Sequence, residues 1–284
     1  MIKKIKEDLR WLLYKGLYKP GHFYSTIPAV KDVFHNGDRI FNKRDPLAID
    51  QRKDAQHLLL NELSAFIQDF NWSGTKTPER RYFLDNSYFN AADAFSLYAL
   101  MRHLQPKRII EIGSGFSSVM MMDTNELFLG NTVNVTFIEP FPERLQSLIT
   151  DSDKNSDLYR FVPQFIQDVD VNIFAELKEN DILFIDSSHV SKIGSDLNHI
   201  LFEIIPRLAK GVYVHFHDIF YPLEYPKEWI RQGIYWNEIY LLRAFLMFNS
   251  SFEIVLFNSY WNGLGLPGFE QFKDGGSLWI RKTS

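Results

Sequence analysis

A short apolar strand followed at once by a glycine-rich turn constrains this chain more than any other feature. Residues 108–112 read Arg-Ile-Ile-Glu-Ile, and Gly113-Ser114-Gly115 lead directly into a stretch of helical character. Gly113 and Gly115 lack a Cβ atom, so a ligand can approach the backbone closely, and the first turn of the helix offers unpaired N–H groups. The segment therefore predicts a cofactor site at a strand–turn–helix junction.

Two kinds of cofactor fit such a junction. A dinucleotide-binding fingerprint also begins with a strand, Gly-x-Gly and a helix, and it has an acidic residue about 20 residues further on, where Glu139 stands. Its third glycine would fall at position 118, which is Ser118. Glu111, two residues before Gly113, suits a cationic ligand that carries an amino group and a sulfonium, because a carboxylate attracts positive charge. This favours the second kind of ligand.

Further motifs extend the pattern in order along the chain. The segment Phe137-Ile138-Glu139-Pro140 follows, then 181–186 (Asp-Ile-Leu-Phe-Ile-Asp), then 211–218 (Gly-Val-Tyr-Val-His-Phe-His-Asp). With the Gly-x-Gly turn, these segments resemble the class I S-adenosylmethionine-dependent methyltransferases over roughly residues 106–281. The resemblance implies that S-adenosylmethionine is the methyl donor and that Glu139 holds its ribose hydroxyls. The donor-binding residues it implies are Glu111, Gly113, Ser114, Gly115, Glu139 and Asp186.

From Pro106 onward, short apolar runs alternate with helical segments, which is typical of parallel βαβ units. We predict an α/β, Rossmann-like, mostly parallel seven-stranded sheet with helices on both faces, and a helical N-terminal extension. Residues 1–105 would form the extension or cap, and residues 106–284 the methyltransferase-like domain. The predicted strands are 108–112, 134–138, 160–162, 181–185, 211–215, 252–257 and 277–281. The predicted helices include 54–69, 90–104 and 237–248.

Composition excludes several classes of protein. Hydrophobic residues make up 45% of the chain and charged residues 23%, as in a folded domain with a soluble surface. The net charge of −4 gives no general attraction to nucleic acid, and the absence of cysteine rules out disulfides and thiolate metal sites. No run approaches the about 20 apolar residues of a membrane span. We expect a cytoplasmic protein with a small-molecule acceptor and no nucleic-acid partner, and a homo-oligomer stays open.

Two segments of the first thirty residues have a distinct character. Lys3, Lys4, Lys6, Arg10 and Lys15 surround Ile2, Ile5, Leu9, Leu12 and Leu13. This spacing predicts a basic amphipathic helix that either packs as a surface helix or rests on anionic lipid. Residues 21–28 form an aromatic loop between Gly21 and Pro28, which predicts either a substrate wall or a packed connector.

The catalytic candidates are Asp186, His189, His217 and Asp218. They fall in two short segments that follow neighbouring predicted strands. A hydroxyl acceptor needs its proton removed or its oxygen placed on a metal. An imidazole of His217 or His189 can serve as the base, whereas Asp186 and Asp218 could hold Mg²⁺. In metal-dependent catechol-type enzymes an Asp-Asn pair ends the fifth strand, where this chain has His217-Asp218, so we favour the metal-free route.

An aromatic and proline-rich stretch follows the fifth predicted strand, from Tyr221 to Trp236, and suits sugars or ring compounds. We expect this stretch, or Phe23-Tyr24, to cover the acceptor pocket. The function expected from the sequence is O-methylation of a small molecule of sugar, ring-compound or natural-product type. The alternatives are an NAD-dependent oxidoreductase and a non-catalytic S-adenosylmethionine-binding protein.

Overall fold

The computed structural model describes Tyr18, residues 20–42 and residues 44–284. By internal contacts the chain separates into two compact units. The smaller comprises the described residues up to Arg44 together with Pro226–Tyr235, and the larger comprises Asp45–Tyr225 and Trp236–Ser284. The basic helix predicted within residues 2–15 lies outside the described residues. The domain boundary predicted after residue 105 stays a prediction.

The larger unit is built on one seven-stranded sheet. Its strands in chain order are β1 (Arg108–Ile112), β2 (Asn134–Ile138), β3 (Tyr159–Val162), β4 (Ile182–Ile185), β5 (Tyr213–Phe216), β6 (Phe252–Phe257) and β7 (Leu278–Lys282). Their order across the sheet is β3-β2-β1-β4-β5-β7-β6. Strand β7 runs antiparallel to the other six strands, which all point the same way. All seven predicted strands are confirmed within two residues at each end.

The described residues also form α-helices, and those within Val30–Ile40 and Lys227–Arg231 belong to the smaller unit. The α-helices are α1 (Val30–His35), α2 (Gly37–Ile40), α3 (Lys53–Leu63), α4 (Ala91–Leu104), α5 (Phe116–Phe128), α6 (Glu143–Leu148), α7 (Asp151–Lys154), α8 (Asp196–His199), α9 (Lys227–Arg231), α10 (Glu238–Leu246) and α11 (Asn258–Asn262). Short 3₁₀ turns cover Ser64–Asp69, Ile166–Asp168, Val171–Glu176 and Ile205–Arg207, and a π-helical turn covers Ile200–Ile204. The helices predicted at 54–69, 90–104 and 237–248 are confirmed.

The central strands are apolar because they are covered on both sides. Every residue of β4 and β5 is buried, as expected for a parallel sheet between two helical layers. Helix α4 is also buried on most of its surface, and the Asn90 side chain caps it by accepting hydrogen bonds from the backbone N–H groups of Ala92 and Asp93. Asp93 is the one carboxylate on this buried helix.

The strand order opens a crevice at one edge of the sheet. Right-handed crossovers from β1 outward through β2 and β3 lie on one face, and those through β4 and β5 lie on the other. Between β1 and β4 the direction of winding reverses, and ligands of open α/β sheets bind beyond the carboxyl ends of the strands at such a point. Gly113 follows β1 and Asp186 follows β4, so the two sequence motifs meet at this crevice.

Candidate active site

Gly113 lies where the backbone leaving β1 passes close to the backbone leaving β4. Its φ is +85°, and its N–H donates to the carbonyl of Ile138 over 2.9 Å. A Cβ built at this position would lie 1.8 Å from the carbonyl oxygen of Asp186. We expected glycine here to clear space for a ligand; the structure shows that the backbone after β4 already requires it.

Glu111, at the end of β1, is wholly buried. Its carboxylate accepts hydrogen bonds from the hydroxyls of Ser118 and Ser117, the latter over 2.5 Å. Burial raises the pKa of Glu111 to about 8, although the two hydroxyls favour the charged form. An acidic group thus lies directly beneath the Gly-x-Gly turn. A cation bound nearby would lower the pKa of Glu111 and favour its charged form.

Glu139 and Ser114 form the other side of the turn. The Glu139 carboxylate accepts hydrogen bonds from the N–H groups of Ser114, over 3.2 Å, and Phe141, over 2.8 Å. The Ser114 hydroxyl is buried and has no hydrogen-bond partner among the described residues. Ser114 and Glu139 both line a cavity of about 220 Å³ that also includes Lys154. A fixed carboxylate beside an unsatisfied hydroxyl fits a ligand rich in hydroxyl groups, such as a nucleoside.

Four side chains after β4 and β5 come together as the sequence predicted, and we call Asp186, His189, His217 and Asp218 the carboxylate–imidazole cluster. Asp186 Oδ1 lies 3.3 Å from His189 Nε2 and 3.4 Å from His217 Nδ1. Asp218 Oδ2 lies 3.8 Å from His189 Nε2 and 3.7 Å from His217 Nδ1. The two imidazoles therefore stand between the same two carboxylates.

Exposure divides the carboxylate–imidazole cluster into two parts. The side chains of His189 and His217 are 5% and 6% exposed, whereas those of Asp186 and Asp218 are 33% and 23% exposed. A substrate can reach the carboxylates directly. His189 and Asp218 also have positive φ angles of 60° and 57°, a conformation that costs non-glycine residues energy and is often found at functional sites.

Each imidazole is also paired, through its other ring nitrogen, with a fully buried carboxylate. His189 Nδ1 lies 2.7 Å from Glu238 Oε2, and His217 Nε2 lies 3.4 Å from Asp93 Oδ2. Asp93 is fixed in turn by hydrogen bonds from Asn90, Asn258, Gly276 and Ser277. Sequence reasoning missed both acids. Glu238 looks like an ordinary first-turn acid, but Asp93 stands alone in an apolar helix and could have been noticed.

These contacts set the protonation of the carboxylate–imidazole cluster. Burial alone would lower the pKa of His189, but Asp186 and Glu238 raise it to about 10. The pKa of His217 is likewise raised, against its burial, by Asp218 and Asp186. Burial raises the pKa of Asp218, whereas the two imidazoles outweigh burial at Asp186 and lower its pKa. Both imidazoles therefore hold their protons at neutral pH.

In this arrangement the two imidazoles neutralise the carboxylates of Asp186 and Asp218. Each histidine is already ion-paired with a buried acid, and Asp186 Oδ1 faces two imidazole nitrogens. Within residues 20–42 and 44–284, no group of three or more His, Asp or Glu side chains is placed to hold a metal. The magnesium site considered for Asp186 and Asp218 stays a hypothesis.

The aromatic residues predicted to cover the acceptor pocket differ in what they contact. Trp236 stacks on His189 with 4.2 Å between ring centroids, which places one residue of the 221–236 stretch against the carboxylate–imidazole cluster. The Tyr221 hydroxyl instead donates to Asp45. In the smaller unit Phe23 and Tyr24 stay exposed.

His215 is fully buried, stacks on Phe184 and shares a 2.8 Å hydrogen bond with Ser277, so it is part of the core.

Comparison with known proteins found a matching family model and several similar chains. Residues 110–219 match the model of a family described as a methyltransferase domain. An uncharacterised protein of Archaeoglobus fulgidus is 34% identical over 198 residues, which cover 64% of this chain and 86% of that protein. The chain is also similar to a Podospora anserina methyltransferase bound to SAH (16% identity, 95% and 100% coverage, TM-score 0.45). The O-methyltransferase TomG of Streptomyces achromogenes in complex with SAM is another (14% identity, 89% and 96% coverage, TM-score 0.41).

The sheet order separates the two cofactor hypotheses. A dinucleotide-binding sheet of the usual type has six parallel strands in the order 3-2-1-4-5-6. Here an antiparallel β7 is inserted between β5 and β6. With the matched domain and the four motifs in order, this chain belongs to the class I S-adenosylmethionine-dependent methyltransferases.

No helix within the described residues is long and apolar enough to cross a membrane.

Proposed function

We propose that this methyltransferase transfers a methyl group to a hydroxyl oxygen of a small molecule. The observation that carries the proposal is the pair of partly exposed carboxylates, Asp186 and Asp218, held by two buried imidazoles beside the glycine turn. A hydroxyl must lose its proton during transfer, and these carboxylates are the acceptors a substrate can reach. The methyl donor, S-adenosylmethionine, supplies an activated methyl group on a sulfonium.

The roles within the carboxylate–imidazole cluster follow from charge. We assign Asp186, whose pKa is lowered, to orient the acceptor hydroxyl by accepting its hydrogen bond. Asp218, whose pKa is raised by burial, takes the proton as the new oxygen–methyl bond forms and the sulfur–methyl bond breaks. The electron pair of the broken bond stays on sulfur, which becomes a neutral thioether. His189 and His217 act as fixed cations that hold the two carboxylates in place rather than as bases.

On the donor side, we propose that Glu111, Gly113, Ser114, Gly115, Glu139 and Asp186 form the binding site. Glu139 and the unpartnered hydroxyl of Ser114 face the hydroxyl-rich part of the donor, and Glu111 attracts its cationic end. Trp236, stacked on His189, borders the acceptor and favours a ring compound or a sugar. Because the donor is made in the cytoplasm, we place the reaction there.

The test combines binding with turnover. Calorimetry should show S-adenosylmethionine binding and no NAD binding. Transfer to a panel of phenols and sugars should persist in a chelator, and Asp218→Asn should reduce turnover about 100-fold or more with little change in donor affinity. Activity that disappears with chelator and returns with magnesium would instead assign Asp186 and Asp218 to a metal. Undiminished turnover in Asp218→Asn would remove its role as the base.

A further inference from the structure

Arg144, on α6, lies across the glycine turn. Its side chain packs so closely on Gly115 that a Cβ built there would lie 3.0 Å from Arg144 Cδ and 3.8 Å from Nη1. The guanidinium stands over the ring of Tyr88, with 3.9 Å between Cζ and the ring centroid. No carboxylate of the described residues lies within ion-pair distance of it, unlike Arg81, Arg102 or Arg281.

Tyr88 is held in position for this contact. Its ring is parallel to that of Phe116, at 12° and 5.8 Å between centroids, at the start of α5. The Asn86 side chain accepts hydrogen bonds from the N–H groups of Tyr88 and Phe89 and donates to the carbonyl of Phe83. Arg81 fastens the same segment to Asp123 and Asp153 through hydrogen-bonded ion pairs. Tyr88 is therefore fixed independently of Arg144, and its ring sets the position of the guanidinium.

The two sides of the turn carry an acidic and a basic side chain. Glu111 lies beneath the turn and accepts hydrogen bonds from the hydroxyls of Ser117 and Ser118. Arg144 packs on Gly115, within the turn itself. An α-amino acid presents an ammonium and a carboxylate on one carbon atom, so its two charges need an acid and a base a few ångströms apart. Arg144 is the cation that the turn offers for this purpose, and its planar fork suits a carboxylate.

We propose that Arg144, clasped by Tyr88, binds the carboxylate of the methyl donor's amino acid end and so selects the intact donor over fragments that lack it. The proposal rests on the proposed function, because it assumes that the donor occupies the glycine turn. The same guanidinium chemistry would also suit an anionic group on the acceptor, and the experiment separates the two sources.

The test is calorimetry with two ligands that share the nucleoside. S-adenosylhomocysteine carries the amino acid end, and 5′-methylthioadenosine lacks it. In Arg144→Gln we expect affinity for S-adenosylhomocysteine to fall about tenfold, with affinity for 5′-methylthioadenosine unchanged. Tyr88→Leu should show a smaller loss of the same selectivity. The matched control is Arg160→Gln, an exposed arginine on β3, which should change neither affinity.

The outcomes are distinct. Equal affinity of wild type and Arg144→Gln for S-adenosylhomocysteine would overturn the proposal, as would an equal loss for both ligands. An effect confined to the Michaelis constant of an anionic acceptor would assign Arg144 to the acceptor instead and also overturn it. Failure of the wild-type protein to bind either ligand would count against the proposed function itself. Thermal melting of each variant shows that it is folded.

Discussion

His189 and Glu238 form an ion pair, with 2.7 Å between Nδ1 and Oε2, that ties the loop after β4 to the first turn of α10. Both side chains are almost fully buried, and the second carboxylate oxygen of Glu238 has no partner among the described residues. The pair orients the imidazole so that its Nε2 edge meets Asp186 and Asp218. Its integrity therefore decides the geometry of the carboxylate–imidazole cluster.

Removing the acid of this pair should destabilise the fold. Glu238→Ala leaves a buried imidazolium without its closest partner, and we expect the free energy of unfolding to drop by about 3–5 kcal/mol. Urea unfolding measures it. Glu203→Ala, which removes an exposed partner of Arg207, is the control and should cost less than about 1 kcal/mol. Similar losses in the two variants would argue against a buried charge pair.

The same ion pair predicts a pH dependence. The pKa of His189 is raised from an ordinary 6.5 to about 10, so its contribution to stability is complete below pH 6.5 and is lost as the pH rises through 10. Nuclear magnetic resonance should find the His189 ring still protonated at pH 8. In the isosteric Glu238→Gln variant the ring should lose its proton at a lower pH. A ring that is neutral at pH 8 in the wild-type protein would refute the assigned charge.

Glu111 predicts a second pH dependence through a raised carboxyl pKa. Between its ordinary 4.5 and about 8, the folded protein keeps a proton that the unfolded chain has released. This residue should therefore make stability fall by about 1.4 kcal/mol per pH unit across that window. Glu111→Gln should flatten the profile and be the more stable protein above pH 8, while it binds the donor less tightly. Parallel profiles for the two proteins would show that Glu111 is not the titrating group.

Gly113 and Gly130 offer a matched pair of substitutions. Both have positive φ angles, +85° and +62°, but a Cβ at Gly130 meets nothing within 4 Å, whereas one at Gly113 meets the Asp186 carbonyl. We expect Gly130→Ala to cost about 1 kcal/mol through backbone strain alone. Gly113→Ala should lower the melting temperature far more, with no donor present. Equal melting temperatures would mean that the strand ends after β1 and β4 can separate freely.

Glu139 should contribute to donor binding through a fixed carboxylate. Its two oxygens are held by the N–H groups of Ser114 and Phe141, and the side chain remains partly exposed beside the cavity. Glu139→Ala should weaken donor binding roughly tenfold or more, in line with the loss of a charge-assisted hydrogen bond. Calorimetry on the folded variant provides the measurement. Unchanged affinity would reject Glu139 as a donor ligand.

The sequence by itself determined the sheet and the edge at which the site lies. The apolar run 182–185 is short enough to favour a buried strand over a helix. The glycine turn, Glu139 and the two histidine-containing segments each follow a predicted strand. Because parallel strands end at one edge, these residues had to share it. The meeting of Asp186, His189, His217 and Asp218 was therefore predictable from strand ends alone.

Only the tertiary structure decided which charges face one another. Asp93 is more than a hundred residues from His217, and Glu238 is 49 residues from His189, so no local pattern pairs them. The same holds for Arg144 above Gly115 and for the carbonyl of Asp186 against Gly113. These contacts depend on how helices settle against the sheet, which close packing fixes to fractions of an ångström and sequence periodicity does not. Protonation follows from such distances, because burial and a partner a few ångströms away set the pKa of each group.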